Sequence, residues 1–140
     1  MLFRSPFLWF DSQAEEAARF YAGLFEDSKI LSASPMMCEF QLAGQSFLAL
    51  NGGPRFPFTE AVSLYVSCED QAEVDRLWDA LTADGGAESM CGWCKDRFGV
   101  SWQIVPRMLT PLLQSSDESV RTRAWNAMVS MHKLIIADFT

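Results

Sequence analysis

Pro6-Phe7-Leu8-Trp9-Phe10-Asp11-Ser12-Gln13-Ala14-Glu15-Glu16-Ala17-Ala18-Arg19-Phe20-Tyr21 changes periodicity at its middle. Its first five residues form an apolar run of strand length. Ser12 and Glu15 then stand at capping-box spacing, which predicts that their side chains satisfy free N–H groups at a helix start. Ala14, Ala17, Ala18 and Tyr21, followed by Leu24 and Phe25, recur at helical spacing and predict one buried face. Asp27-Ser28 predicts the end of that helix. Three short strands are expected next, at Lys29–Ser34, Met36–Leu42 and Ser46–Leu50, with Ala43-Gly44-Gln45 turning between the last two.

The second half repeats this order. Ala61–Cys68 alternates like a strand, and Asp70-Gln71-Ala72-Glu73 resembles the earlier helix start. Ala17, Phe20, Tyr21 and Leu24 map onto Val74, Leu77, Trp78 and Leu81 under one constant shift (17 to 74, 24 to 81). Gly85-Gly86 predicts the helix stop, where φ must turn positive. Strands are expected at Glu88–Gly92, Trp93–Asp96 and Val100–Val105, with Phe98-Gly99 at the last turn. A further amphipathic stretch, Asp117 to Met131, predicts a C-terminal helix with Val120, Ala124, Ala127, Met128 and Met131 on one side. The fold class expected is α+β: two tandem βαβββ modules whose sheets form a curved mixed-sheet cleft, plus a C-terminal helix. All 140 residues make one domain on this reading. Module one spans about 1–53, module two about 58–106, and a helical tail about 107–140, with Gly52-Gly53-Pro54-Arg55-Phe56-Pro57 as linker.

Composition narrows the class. Hydrophobic residues are 49% and aromatics 13% of the chain, enough for a core without disulfides or metal. The formal net charge of −7 argues against nucleic acid and against anionic membrane surfaces, which reward clustered Lys and Arg. The longest apolar runs, such as Leu134-Ile135-Ile136-Ala137, fall far short of the roughly 20 residues of a membrane span. Met1 to Phe10 is too short for an export signal. The expected location is therefore cytoplasmic, with Cys38, Cys68, Cys91 and Cys94 as thiols.

Three stretches carry a family resemblance. Phe10-Asp11-Ser12-Gln13-Ala14-Glu15-Glu16-Ala17 with Phe20-Tyr21 is the first. Phe47-Leu48-Ala49-Leu50-Asn51-Gly52-Gly53-Pro54 followed by Phe58-Thr59-Glu60-Ala61 is the second. Cys91-Gly92-Trp93 with Asp96-Arg97-Phe98-Gly99-Val100-Ser101-Trp102-Gln103-Ile104-Val105-Pro106 is the third. Together they resemble the PhnB-like branch of the vicinal-oxygen-chelate (glyoxalase/bleomycin-resistance) superfamily, over nearly the whole chain. The resemblance implies a ligand cleft between the modules. In metal-bearing relatives it implies four His or Glu ligands, one from each of four strands. The matching positions here fall near Pro6, Ala49, Ser63 and Gln103, to within a residue. None is a strong donor, so no metal and no cofactor are expected. The branch often carries the name 3-demethylubiquinone methyltransferase. Asn51-Gly52-Gly53 leads into a Pro-rich linker rather than a helix, unlike the Gly-rich turn of S-adenosylmethionine enzymes.

The candidate ligand-binding residues are Trp9, Asn51, Phe58, Trp93, Trp102 and Gln103. Aromatic rings would supply apolar area, and the two amides hydrogen bonds. The three tryptophans fit either a cleft wall or core packing. Glu39, between Cys38 and Phe40, is the best-placed carboxylate for acid–base work, though a solvated strand face suits it better. Cys91-Gly92-Trp93-Cys94 is a C-x-x-C pair on strands and a turn, where no helix dipole lowers a thiol pKa, so packing is expected of it. His132, the sole histidine, lies outside both modules. No nucleophile–base pair stands out, so no catalytic residue or reaction type follows. The expected function is small-molecule binding, without the usual divalent metal, by a homodimer. The Leu134–Ile136 patch is expected to dock on its own domain or on a second subunit. The alternatives are a metal-dependent lyase, isomerase or dioxygenase using Glu39 or Glu60, a methyltransferase, and a protein without ligand or turnover.

Overall fold

The computed structural model describes Leu2 and residues 4–139. They form two compact units, the first ending at Phe58 and the second beginning at Thr59. The first contains β1 (Phe7–Phe10), α1 (Ala14–Ala22), β2 (Lys29–Ala33), β3 (Met37–Leu42) and β4 (Gln45–Asn51). Its sheet runs in the order β1-β4-β3-β2, with β1 parallel to β4 and the other pairs antiparallel. Side chains alternate across a sheet, and burial follows that period. Leu8, Phe10, Cys38, Phe40, Leu42, Phe47 and Ala49 are buried, together with Ala14, Ala17, Ala18 and Tyr21 of α1. The alanines let the helix lie close, while Tyr21, Phe40 and Phe47 fill the space between. Phe40 and Phe47 stack at 5.4 Å. Each such ring contributes roughly 1.5–3 kcal/mol by burial.

The β3–β4 hairpin closes through Ala43 and Gly44, with φ of 49° and 84°. That is the two-residue turn whose twist suits antiparallel strands. Two expectations for α1 need correcting. The helix ends at Ala22 with Gly23 as C-cap, so Leu24 and Phe25 follow it rather than extend its face. Its N-cap is Gln13, without a side-chain cap, and Ser12 is exposed. The cap comes from another strand, as described below.

The second unit contains β5 (Ser63–Cys68), α2 (Gln71–Thr82), β6 (Ala87–Glu88), β7 (Trp93–Lys95), β8 (Ser101–Pro106), α3 (Leu109–Leu113) and α4 (Glu118–Val129), then a 3-10 turn at Ile136–Phe139. Its strand order, β5-β8-β7-β6, reproduces the first unit's topology, again with the outer pair β5 and β8 parallel. Here the helix start behaves as expected. Asp70 Oδ1 accepts from Glu73 N at 2.9 Å, and Glu73 Oε2 accepts from Glu69 N at 3.2 Å. Val74, Leu77, Trp78 and Leu81 are buried.

The strand expected at Glu88–Gly92 is only Ala87–Glu88. Cys91 and Gly92 have φ of 61° and 83°, which extended backbone does not allow. Their N–H groups donate instead to Met131 O (2.8 Å) and His132 O (2.9 Å) of the C-terminal tail. A Cβ on Gly92 would meet Leu134 Cδ1 at 2.9 Å. Leu134 is fully buried with Val105, Leu109 and Ala124. Gln71 fastens it from α2, donating to Leu134 O at 3.0 Å and accepting from Ile136 N at 2.7 Å. The tail thus docks on its own module. α3, which was not anticipated, supplies Leu109 to this core. α4 fills most of the expected Asp117–Met131 span, with Asp117 as N-cap. Among the described residues, no helix is long and apolar enough to cross a membrane.

Candidate functional site

Strand register assigns each side chain to the helix-covered face of its sheet or to the opposite, open face. On module one, the open rows are Trp9–Leu50–Met37, then Phe7–Leu48–Glu39–Ser32, then Ser46–Gln41–Lys29. On module two they are Tyr65–Gln103–Trp93 and Ser63–Ser101–Lys95–Ala87. These faces combine half-buried aromatic and aliphatic groups with a few polar ones, the usual make-up of a small-molecule surface.

Trp9 lies on the open face of module one. Its Nε1 donates to Gly53 O at 2.9 Å, and its ring meets Phe56 edge-on at 5.1 Å. Trp93 and Gln103 are register partners on the open face of module two. Gln103 Nε2 donates to Ser63 Oγ at 2.9 Å, and Tyr65 shares a hydrogen bond with Thr110 at 3.2 Å.

Trp102 and Asn51 point to the helix side of their sheets, and Phe58 lies between β4 and β5. Trp102 is 2% exposed, and its indole Nε1 donates to Asp96 Oδ2 at 2.9 Å. Asn51 is the missing cap of α1. Its Oδ1 accepts from Ala14 N at 2.8 Å, while its Nδ2 donates to Pro35 O at 3.0 Å. Phe58 meets buried Phe10 edge-on at 5.1 Å. Asp96 was not singled out from the sequence. Its buried carboxylate gathers three N–H donors and organises the β7–β8 hairpin.

The positions that the resemblance equates with metal ligands do not suit a divalent ion. Ala49 faces the helix, so the open-face neighbours on β4 are Leu48 and Leu50. Open-face positions of the four outer-pair strands hold Phe7 and Trp9, Leu48 and Leu50, Ser63 and Tyr65, Ser101 and Gln103. None is a carboxylate, imidazole or thiolate donor of the kind such ions take. Among the described residues, no three His, Cys, Asp or Glu side chains gather as a ligand set. Glu39 is a lone half-buried carboxylate on the open face of module one. His132 is exposed, with Nδ1 at 3.1 Å from Ser89 O.

All four cysteines are free. Cys94 pairs in register with Trp102 on the helix side and is 1% exposed. Burial, reinforced by the nearby Asp96 and Glu88 charges, pushes its thiol up to about 12. Cys94 is therefore not a ready thiolate, and the C-x-x-C pair does not form a reactive dithiol. Iodoacetamide at pH 8 is expected to label half-buried Cys91 about 100-fold faster than Cys94 in the folded protein. Peptide mass spectrometry over time reads this, and equal rates would contradict the placement of Cys94.

A family model described as 3-demethylubiquinone-9 3-methyltransferase matches residues 4–105. No curated protein matches the chain. Among solved structures, the PhnB protein from Bacillus cereus is 35% identical with a TM-score of 0.67; the match covers 73% of this chain and 97% of that one. Protein PA1353 from Pseudomonas aeruginosa is 24% identical with a TM-score of 0.60, covering 76% and 98%. A glyoxalase/bleomycin resistance protein from Albidiferax ferrireducens T118 is 16% identical with a TM-score of 0.52, covering 73% and 95%. The last two likenesses are of fold alone. The family model stops before α3, so the C-terminal helices and tail lie outside it. With the repeated βαβββ topology and these matches in hand, the chain belongs to the PhnB-like family that bears the 3-demethylubiquinone-9 3-methyltransferase description.

Proposed function

We propose that this protein binds a small, partly apolar molecule on an open sheet face, without a divalent metal. On module two Trp93 and Gln103 are the contacting side chains, and on module one Trp9 offers an apolar surface of its own. The observation that carries the reading is the register. It turns these three away from the helices, while the positions that would carry metal ligands hold Phe, Trp, Leu, Ser, Tyr and Gln. Such a surface supplies apolar area with a few orienting hydrogen bonds.

A panel of planar and aliphatic compounds is expected to include one that changes tryptophan emission saturably. Trp9→Ala or Trp93→Ala is expected to weaken that compound at least about tenfold, the cost of losing a buried aromatic contact. Metal analysis of untagged protein is expected to give far less than one ion per chain. A stoichiometric bound metal would replace this reading by a metal-dependent lyase, isomerase or dioxygenase using Glu39 or Glu60. Calorimetric binding of S-adenosylmethionine would favour the methyl transfer named in the family description.

The same reading places the protein in the cytoplasm, where four free thiols are stable. It also includes a homodimer, supported by the exposure of Phe7, Met37 and Tyr65, each 40% or more. Light scattering at twice 15.8 kDa tests the dimer.

A further inference from the structure

Ser101 carries the one buried side-chain polar atom, among the described residues, that lacks a hydrogen-bond partner. The residue is 1% exposed. Native proteins leave few buried hydroxyls unpaired, and each one calls for a physical explanation. Here the surroundings supply it. Ser101 lines a hollow of about 190 Å³ with Glu60, Ala87, Glu88, Trp93 and Lys95. Lys95 stands directly opposite Ser101 in the antiparallel β7–β8 register, so both side chains lie on the open face. Opposed residues of this kind have Cβ atoms about 4.5–5.5 Å apart. An ammonium and an unused hydroxyl therefore belong to facing residues of neighbouring strands beside one small space.

The charges sort by face. Glu88 pairs in register with Cys94 on the helix side, where its carboxylate accepts from Trp78 Nε1 at 2.8 Å. Lys95 is the only cation among the lining residues. Its ammonium is ion-paired with Glu60, whose side chain is 64% exposed. An exposed ion pair of this sort is weak and readily exchanged. The Glu60 carboxylate thus already occupies a place that a ligand carboxylate could take. The size of the ligand follows from the volume. A hollow of about 190 Å³ has room for a small ligand of a few non-hydrogen atoms.

We infer that this hollow is a subsite for a small carboxylate, bound between the Lys95 ammonium and the Ser101 hydroxyl, with the Glu60 carboxylate holding only Lys95 when it is empty. The inference rests on the proposal that the open face of module two binds small molecules, and it specifies the class of group held there. Ser101 donates to one carboxylate oxygen. Lys95 exchanges Glu60 for the ligand, and Trp93 bounds the rest of the space.

Pyruvate, with six non-hydrogen atoms, is the probe. In NMR titration of the full chain it is expected to shift the Lys95 and Ser101 amides saturably, while uncharged acetone leaves them in place. Ser101→Ala and Lys95→Met are each expected to weaken pyruvate at least tenfold, and Glu60→Gln to tighten it several-fold by freeing Lys95. Ser101→Ala without ligand is expected to melt slightly higher than wild type, since an unpaired buried hydroxyl has gone. That result also shows that the variant is folded. Lys95→Arg, which keeps the charge, should retain most of the binding. Pyruvate affinity unchanged by Lys95→Met, or no saturable shift in either wild type or Glu60→Gln, would overturn the subsite. Shifts confined to Trp9 or Tyr65 would overturn it too, yet leave the proposal for the open faces standing.

Discussion

Asp96→Ala is expected to destabilise the protein by about 3–5 kcal/mol, through three donors left without an acceptor. The carboxylate is 3% exposed. Oδ1 accepts from Phe98 N at 2.9 Å and Val100 N at 3.1 Å, and Oδ2 from Trp102 Nε1 at 2.9 Å. Hydrogen bonds to a charged acceptor contribute about 1.5–3 kcal/mol each, and an orphaned buried donor costs about 1–3 kcal/mol. These overlap, so the total is less than their sum. Asp96→Asn sharpens the test. Its remaining oxygen can still serve the two backbone groups, but its amide would face the indole N–H, donor against donor. A cost of about 2 kcal/mol is expected. Adding Trp102→Phe to Asp96→Asn removes the opposed donor, so the pair should be less harmful than the two single costs summed. Urea unfolding followed by circular dichroism measures all four proteins. An Asp96→Ala variant within about 1 kcal/mol of wild type would contradict this account of the hairpin. The consequence reaches function, because β8 also carries Ser101 and Gln103 on its open face.

The repeat was legible because it rests on local periodicity. Val74, Leu77, Trp78 and Leu81 announce their helix face by spacing alone, and the structure buries all four. What stayed hidden depended on groups distant in sequence. The cap of α1 comes from Asn51, 37 residues from the N–H it accepts, whereas capping rules look only at the neighbouring Ser12 and Glu15. The loss of the Glu88–Gly92 strand likewise depends on the tail, whose Met131 and His132 carbonyls take the Cys91 and Gly92 N–H groups.

Part of the placement was readable from strand parity. Trp102 and Gln103 are adjacent in a strand, so they point to opposite faces and cannot both line one surface. Parity with Ile104 and Val100 already placed Trp102 in the core. The same parity separates Ala49 from Leu48 and Leu50, and a one-residue slip in matching a motif exchanges the two faces entirely. Asp96 sat in plain view within a family motif. Its role shows only when the hairpin brings Trp102 back beside it.

Gly52→Ala is expected to unseat Trp9 and to cost about 2–3 kcal/mol, within the range of an overpacked contact. The constraint is space. A Cβ on Gly52 would lie 2.3 Å from Trp9 Cε2 and Cζ2 and 2.7 Å from Cδ2, well inside contact distance. The backbone there has little room to yield, since Gly52 N donates to Phe10 O at 2.8 Å and Gly53 N to Asp11 O at 3.0 Å. The indole must therefore move, losing its bond to Gly53 O and its edge contact with Phe56. A displaced Trp9 indole N–H resonance is the direct readout, with urea unfolding for the energy. In a Trp9→Ala background the obstruction is absent, and the same Gly52→Ala change should cost less than about 0.5 kcal/mol, the limit of additivity for independent sites. Equal costs in the two backgrounds would mean that the ring does not rest on Gly52. If Trp9 contacts the ligand, Gly52→Ala should also weaken binding about as much as Trp9→Ala does. The same glycine would then serve stability and recognition through one contact, the flat seating of an indole on a residue without a side chain.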